Sequence, residues 1–134
     1  MAWLDSDDFW YPNHLADLWA VAEPDLDIKY VFSWFDARYD PLGHFGKVYN
    51  VHEPTHTTIT ALVDVEMAKE VGYADTAKDW PVSNEDLIFI FDFAKLCVER
   101  NLKMVHLPKR TWFWEQGTQN SSGRPDKGDA ARDK

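Results

Sequence analysis

The sequence predicts an α/β protein in which a parallel or mixed sheet of about four strands carries helices on its faces. Segments rich in β-branched and aromatic residues alternate with segments whose apolar residues recur at helical spacing. The chain has 134 residues, which fits one domain, and 45% of them are hydrophobic. Seven Trp, eight Phe and five Tyr supply ample material for a core and argue against extensive disorder.

Charge and cysteine content narrow the range of functions. The chain has 14 Lys and Arg against 23 Asp and Glu, a formal net charge of −9, so it is poorly matched to nucleic acid or anionic lipid. Cys97 is the one cysteine, which excludes an internal disulfide and a cysteine-based zinc site. No segment reaches the roughly 20 apolar residues of a membrane span, and the N-terminus does not resemble a signal peptide. We therefore expect a cytoplasmic protein.

The first third of the chain predicts a strand, a helix and a second strand. Residues 1–4 resemble the end of a buried strand that runs into the acidic residues 5–8. A helix follows Pro12 and ends before Pro24, which cannot continue it. Residues 28–35, rich in β-branched and aromatic side chains, predict a strand. The apolar residues at helical spacing in the first helix are Leu15, Leu18, Trp19 and Ala22.

The middle of the chain predicts a long loop, a short strand and a short helix. Residues 36–54 contain Pro, Gly and Asn without periodicity, and loops of this length often bind ligands. Residues 57–63 are β-branched and predict a strand. Asp64 is a suitable N-cap for a helix over residues 65–71, which Gly72 ends.

The clearest helix is predicted after a second loop, residues 73–82. Ser83 can cap this helix, and the negative charge of Asp86 is favourable near the positive amino end of the helix. Asn101 is expected to end the helix. The predicted apolar stripe consists of Leu87, Ile90, Phe91, Ala94 and Val98.

Two further strands and a polar tail complete the prediction. Residues 104–107 form a strand that Pro108 ends, and residues 111–115 form another. His106, within the first of these, is interpreted as a core histidine. We expect one domain over residues 1–116 and a flexible tail over residues 117–134.

The first candidate site is the acidic run that follows the opening strand. In open α/β sheets, ligands bind beyond the carboxyl ends of strands. Asp5 and Asp7, two residues apart, can hold one hard divalent ion together, and Asp8 lies beside them. The alternative is a solvated acidic turn that caps the next helix.

The second candidate site is at the start of the clearest helix, behind the loop that contains Trp80. A carboxylate of Glu85 or Asp86 can act as a general base toward an attacking hydroxyl. The alternative is a capping cluster that favours the helix dipole.

The third candidate site is the alternating aromatic strand, residues 112–114, with the polar segment after it. Alternation places one set of side chains in the core and the other toward a ligand or partner. Arg110 or Arg124 can contact phosphate. The alternative is an edge strand followed by a solvated tail.

These segments, in order, resemble GT-A fold glycosyltransferases of the family 2 type, notably versions carried by phages of actinobacteria. The matching segments are LDSDDFWYPNHL (4–15), EVGYAD (70–75), WPVSNED (80–86), LPKRTWFW (107–114) and NSSGRP (120–125). The resemblance runs from residue 1 to about residue 125. It implies a partial GT-A fold that moves a sugar from a nucleotide-diphospho-sugar to an acceptor hydroxyl.

The resemblance also implies a Mn²⁺ or Mg²⁺ site under the donor diphosphate. Asp7 would be the main ligand, Asp5 would lie near the metal or the nucleotide ribose, and Asp8 would support them. Related sequences usually place a histidine after the aromatic strand, where this chain has Glu115 and Gln116. Glu115 remains suited to a hard metal, whereas Gln116 is a poor ligand.

For the acceptor, the resemblance implies that Asp86 is the base and that Glu85 orients it or binds the acceptor. Trp80 would stack on a sugar face, and Arg124 would contact the donor.

One departure from the family concerns the nucleotide-binding half, which in such enzymes precedes the DxD segment. Here the chain starts in the strand before that segment, which would leave a bare sheet edge. We therefore expect a second chain or a homo-oligomer to cover residues 1–4 and, for activity, a partner to supply the missing half. The alternative is a non-catalytic remnant that serves as a binding or oligomerisation module. A phage-encoded protein of this kind would act in the host cytoplasm.

Overall fold

The computed structural model describes residues 1–4, 9–37, 61–72 and 85–114. These residues form a four-stranded mixed sheet with flanking helices, which confirms the predicted α/β class. The elements are β1 (Phe9–Trp10), α1 (His14–Ala22), β2 (Ile28–Ala37), β3 (Leu62–Val63), α2 (Val65–Val71), α3 (Glu85–Arg100) and β4 (Lys103–Trp114).

The sheet is built around a long parallel pair, β2 and β4, in the order β1-β4-β2-β3. The short strands β1 and β3 pair antiparallel with β4 and β2 respectively. Residues 1–4 continue the sheet beyond β3, because Ala2 bridges Leu62 in antiparallel fashion and Val63 donates its N–H to the Met1 carbonyl at 2.8 Å. Residues 1–4 therefore run in the same direction as β2 and β4.

Helices α2 and α3 cover one face of the parallel pair. Tyr30 and Phe32 of β2 and Met104 of β4 are buried there, and the Tyr30 and Phe93 rings meet edge to face at 5.3 Å. Cys97 of α3 is fully buried in this core, and burial raises the pKa of its thiol to about 11. The α2 and α3 residues buried in this core are Met67, Ala68, Phe89, Phe93, Ala94 and Cys97.

Helix α1 lies against both strands of the parallel pair and buries His14 and Leu18. A second aromatic cluster lies near the carboxyl ends of β2 and β4. It consists of Phe35, Trp112 and Trp114, and Trp10 packs against it. The rings of Trp10 and His14 are stacked with their centroids 4.8 Å apart, so this cluster and α1 lie on the same face of the sheet.

The prediction for α2 is confirmed at both ends. The Asp64 carboxylate accepts the Met67 N–H at 3.0 Å, as an N-cap does. Gly72 ends the helix with φ 64°, a conformation that glycine adopts without steric cost. Asn101, the predicted stop of α3, likewise has a positive φ of 55°.

The prediction that Pro108 ends a strand is wrong, because β4 runs without a break from Lys103 to Trp114. The pairing passes from Ser33↔Leu107 to Trp34↔Arg110, so Pro108 and Lys109 occupy a bulge. Proline has no N–H to donate to a ladder, and a bulge is a place where none is required.

The apolar stripe predicted for α3 is partly wrong. Phe91 and Val98 are 45% and 47% exposed, whereas Phe89, Phe93 and Cys97 are buried. The helix is apolar on several sides, so residue spacing alone did not identify the buried side. In α1, Leu15 and Trp19 are likewise exposed, and His14 is buried with Leu18.

Strands β2 and β3 agree with the prediction, whereas β1 was not predicted, and residues 1–4, predicted as the end of a buried strand, form an edge at which Met1 and Leu4 are about half exposed. The strand predicted over residues 28–35 extends to Ala37, and β3 matches the end of the strand predicted over 57–63. The predicted tail, residues 38–54 of the first predicted loop, all of the second (73–82) and residues 57–60 lie outside the described residues. In the part of the chain that the structure describes, no helix is long and apolar enough to cross a membrane.

Candidate functional site

The carboxyl end of the parallel pair is the part of the fold where ligands of α/β proteins usually bind. Strands β2 and β4 end there, at Ala37 and Trp114, and residues 1–4 run toward the same end. Helix α3 connects tightly to β4, since the Leu102 N–H donates to the Cys97 carbonyl at 2.8 Å. The helix therefore runs back along the sheet, and its first turn points toward the carboxyl end.

Of the site residues predicted from the sequence, Arg110 is described and pairs with Asp36, whereas the side chains of the others are not described. Glu85 and Asp86 form the first two positions of α3, but their side chains are not among those described. The other predicted site residues, all outside the described ranges, are Asp5, Asp7, Asp8, Trp80, Glu115 and Arg124. Their convergence on one cleft stays a prediction.

Two aromatic contacts connect the described residues that flank these predicted acids. Trp3 meets Phe89 of α3 edge to face, with ring centroids 5.7 Å apart. Phe9 stacks on Phe113 of β4, with centroids 5.0 Å apart and planes 6° from parallel. The first contact joins the chain before Asp5 to the first turns of α3. The second joins the chain after the acidic run to the end of β4.

A charged network lies at the same end of β2. The Asp36 carboxylate accepts hydrogen bonds from the Tyr11 hydroxyl at 2.6 Å and from the Arg110 guanidinium at 2.8 Å. The Tyr11 hydrogen bond, and then Arg110, hold the pKa of Asp36 below its usual range. Burial, and then the bond to Asp36, raise the pKa of Tyr11 to about 12. The network therefore keeps an ionised carboxylate and a cation side by side.

Next to this network, Trp34 and His106 form an aromatic pair on the α3 side of the sheet. The His106 ring stacks on Phe32 with the ring centroids 4.6 Å apart, and it meets the Trp34 ring edge to face with the centroids 5.3 Å apart. The indole Nε1 of Trp34 and the imidazole Nε2 of His106 are buried without a hydrogen-bond partner. Burial lowers the pKa of His106. The prediction of a core histidine is thus correct for its packing on Phe32, although the ring remains partly exposed.

A buried polar network supports the α1 side of the same strands. Thr111 Oγ1 lies 2.7 Å from His14 Nδ1 and 2.6 Å from Ser33 Oγ. All three side chains are buried, and Thr111 sits where the ladder shifts between Trp34↔Arg110 and Phe35↔Trp112. The network therefore fixes the part of β4 that presents Arg110 on the opposite side.

Sequence reasoning missed most of these residues. Neither His14 nor Tyr11 carries a local signal, since their partners lie 97 and 25 positions away. Within the ranges that the structure describes, no three His, Cys, Asp or Glu side chains are grouped as metal ligands would be.

Comparisons with known proteins add no family: no protein-family model matches the chain, and no curated protein matches it.

Proposed function

We propose that this protein is glycosyltransferase-like and takes part in metal-dependent transfer of a sugar from a nucleotide-diphospho-sugar to an acceptor hydroxyl. The reaction would occur at the carboxyl end of the β2–β4 pair. The observation that carries the proposal is the pair of ring contacts, Trp3 with Phe89 and Phe9 with Phe113. The first contact joins the segment before Asp5 to the first turns of α3, which carry the predicted base, and the second joins the segment after Asp8 to the end of β4, which precedes Glu115.

Chain geometry explains why these contacts support the proposal. Asp5 follows Trp3 by two residues, which span at most about 7 Å of extended chain. Asp86 precedes Phe89 by three helical residues, a rise of about 4.5 Å. The two acids are therefore attached close to one aromatic contact, although 81 positions separate them in the sequence.

The predicted ligands suit the metal that the proposal requires. Asp5, Asp7 and Glu115 offer carboxylate oxygens, the donors that Mn²⁺ and Mg²⁺ prefer, and Asp8 adds negative charge beside them. When bound, such an ion offsets the charge that develops on a leaving nucleoside diphosphate. Arg124 would contact the donor in the same region.

The predicted base is at the first turn of α3. Asp86 would take the proton from the acceptor hydroxyl, Glu85 would orient that hydroxyl, and Trp80 would stack on a sugar face. Phe89, fully buried one turn later, anchors the helix start against the core. The base is thus attached to a rigid element, as precise positioning requires.

The edge formed by residues 1–4 is the surface proposed for a partner chain that supplies the nucleotide-binding half. Met1 and Leu4 are about half exposed, and the segment pairs with β3 through Ala2 and Met1. No other strand in the described part of the chain pairs with its outer side. A second copy or another chain can therefore add a strand there.

Calorimetry on the full chain tests this proposal. We expect Mn²⁺ to bind and then to promote binding of a UDP-sugar, alone or after addition of the product of a neighbouring gene. Asp7→Asn should weaken Mn²⁺ binding about tenfold or more, because it removes a charged ligand. Asp92→Asn, on the exposed side of α3, is the matched control and should bind as the parent does. Equal Mn²⁺ binding by both variants would contradict the proposal.

The exposed edge also favours a second function, a non-catalytic binding or oligomerisation module. In that case the chain forms a stable dimer whose formation does not depend on metal. Size-exclusion chromatography with and without EDTA measures this, and sugar transfer that Asp7→Ala abolishes would exclude it.

A further inference from the structure

An apolar groove lies beside the amino end of β2, on the side of the sheet that carries α1. The groove has a volume of about 220 Å³ and is formed by the last turn of α1, the turn into β2, β3 and the start of the chain. Its apolar lining includes Met1, Trp19, Leu26, Val31 and Leu62. The groove is at the opposite end of β2 from the proposed transfer site, so it is a separate feature of the molecule.

Three of the apolar side chains that line the groove are open to solvent. Leu26 is 85% exposed, Trp19 56% and Met1 47%. Single exposed apolar residues are ordinary on a protein surface, whereas a group of them around a concave surface is typical of an interface. Tryptophan is also enriched among the residues that contribute most to binding at interfaces. The groove therefore has the composition of a docking site.

The size of the groove favours a polypeptide as its occupant. Pockets that bury drug-sized ligands have volumes of about 300–1,000 Å³, which exceed the volume of this groove. The groove is large enough for one apolar side chain, and Trp19 and Leu26 on its rim offer contact to the residues on either side of that side chain. A polypeptide segment makes both kinds of contact.

The side of the groove next to the turn between α1 and β2 is acidic. Glu23, Asp25 and Asp27 lie in this turn, and in the described part of the chain their one ion-pair partner is Lys103, 2.6 Å from Asp25. Helix α1 ends at the same place and has no basic residue in its last turn. The partial negative charge of its carbonyl end therefore adds to that of the carboxylates.

The other side of the groove has no such excess of negative charge. There Lys29 pairs with Asp64 at 3.4 Å, and the Met1 amino group donates to the Val63 carbonyl at 2.8 Å. Positive charge on an occupant is therefore favoured at one end of the groove, next to residues 23–27.

The same charges disfavour occupants that the chain itself could supply. The net charge of the chain is −9, and two grooves facing each other would bring their acidic sides together. The predicted tail, residues 117–134, has basic residues but no aromatic residue and no Leu, Ile, Val or Met to fill the groove.

We propose that this groove binds a partner polypeptide that presents an apolar side chain with a lysine or arginine beside it. The apolar side chain occupies the groove between Trp19 and Leu26. The basic side chain lays its apolar stem on the Trp19 ring and places its charge near Glu23, which lies one helical turn further along the same side of α1. The proposal does not depend on the proposed transfer reaction.

Nuclear magnetic resonance on the ¹⁵N-labelled full chain tests this proposal with short peptides. The probes are acetyl-KKLKK-amide and acetyl-KKFKK-amide, and at least one should shift the Trp19 indole resonance to saturation. That resonance is identified by its loss in Trp19→Phe. The matched peptides acetyl-KKAKK-amide, without the apolar side chain, and acetyl-EELEE-amide, with the opposite charge, should each bind about tenfold more weakly or less. Added salt should also weaken binding of the basic peptides.

Two variants of the groove test its two components separately. Leu26→Ala removes an apolar contact and Glu23→Gln removes a charge, and each should weaken binding of the shifting peptide about threefold or more. Leu15→Ala, on an exposed part of α1 outside the groove, and Glu99→Gln, on α3 on the other face of the sheet, are the matched controls and should bind as the parent does. Because Leu26 and Glu23 are exposed, both variants should unfold at the parent temperature.

Three outcomes would overturn the proposal. The first is that neither basic peptide shifts the Trp19 resonance, and the second is that the alanine or acidic peptide binds as tightly. The third is a dimer of the chain alone, measured by sedimentation velocity, that Leu26→Ala abolishes, because a second copy would then occupy the groove. Binding of Mn²⁺ and UDP-sugar, measured on the same samples, reports on the proposed transfer reaction separately.

Discussion

The amino and carboxyl halves of the β2–β4 pair are built differently. In the amino half, Tyr30 and Met104 pair in register and lie in an apolar core with Phe93 and Cys97. In the carboxyl half, the register shifts on both sides of Trp34, and the core gives way to hydroxyl, imidazole and charged networks. The unpaired nitrogens of Trp34 and His106 belong to this second half.

This difference indicates that the buried residues of the amino half serve mainly stability, whereas binding of the sugar substrates is expected at the carboxyl half. The amino half has one register shift, between Ile28 and Tyr30, and its buried side chains are apolar, so they act mainly through packing. The carboxyl half accepts bulges and unmet hydrogen bonds, which reduce stability and are retained where a site needs them. Substitutions should therefore have different consequences in the two halves.

The largest effect is expected from Phe93→Ala in the amino half. Phe93 is fully buried, so the substitution should lower the free energy of unfolding by about 3–5 kcal/mol. Phe91→Ala, on the exposed side of the same helix, should cost far less. Urea denaturation of the full chain measures both, and equal losses would mean that the core is not where the structure places it.

The next effect is expected from Thr111→Val in the carboxyl half. The substitution keeps the shape but removes the hydroxyl shared by His14 and Ser33. Loss of stability by about 1–3 kcal/mol should follow, because two buried polar groups lose a partner. Thr111→Ser keeps the hydroxyl and should recover most of the loss in the same urea experiment. If it does not, the side-chain methyl rather than the network stabilises this half.

A smaller effect is expected from Asp64→Ala, which removes the cap of α2. The loss should be about 0.5–2 kcal/mol at pH 7, compared with little change for Glu66→Ala. The Met67 N–H, and then Lys29, hold the pKa of Asp64 below its usual range. This contribution is therefore complete above pH 4 and is lost as the pH falls through the folded-state pKa. Denaturation curves at several pH values should show parent and variant converging in acid.

The smallest effect at pH 7 is expected from His106→Phe. Burial lowers the pKa of His106, so the unfolded chain binds its proton first, near pH 6.5. As the pH falls from about 6.5 toward the folded-state pKa of His106, the free energy of unfolding of the parent should decrease. The variant has no imidazole at this position and should not show this part of the decrease. The difference in unfolding free energy between the two, measured from pH 7 to pH 5, should favour the variant increasingly. A constant difference would show that His106 titrates as it does in the unfolded chain.

Local signals were enough to predict the elements that local interactions determine. Asp64 and Gly72 set the ends of α2 by contacts within a few residues, and both were recognised in the sequence. The alternation of strands and helices likewise gave the α/β class. These features depend on neighbours that the sequence itself displays.

The bulge in β4 and the polar networks could not be predicted, because they depend on contacts between distant segments. Pro108 signals a strand end by its own chemistry, and only the register against β2 shows that the strand continues. His14, Ser33 and Thr111 meet only after α1, β2 and β4 have packed together. The predicted metal ligands and base stay predictions, since their side chains lie outside the described residues.

Cys97, the single cysteine of the sequence, can report on the difference between the two halves of the β2–β4 pair. Alkylating reagents attack the thiolate, and Cys97 is both inaccessible and held in its protonated form in the folded protein. Labelling of the unmodified chain therefore proceeds only when α3 separates from the sheet. The rate at which the labelled mass appears under native conditions would give the frequency at which the amino half opens, and no engineered probe is needed. The same measurement can be made while a ligand is bound at the carboxyl half.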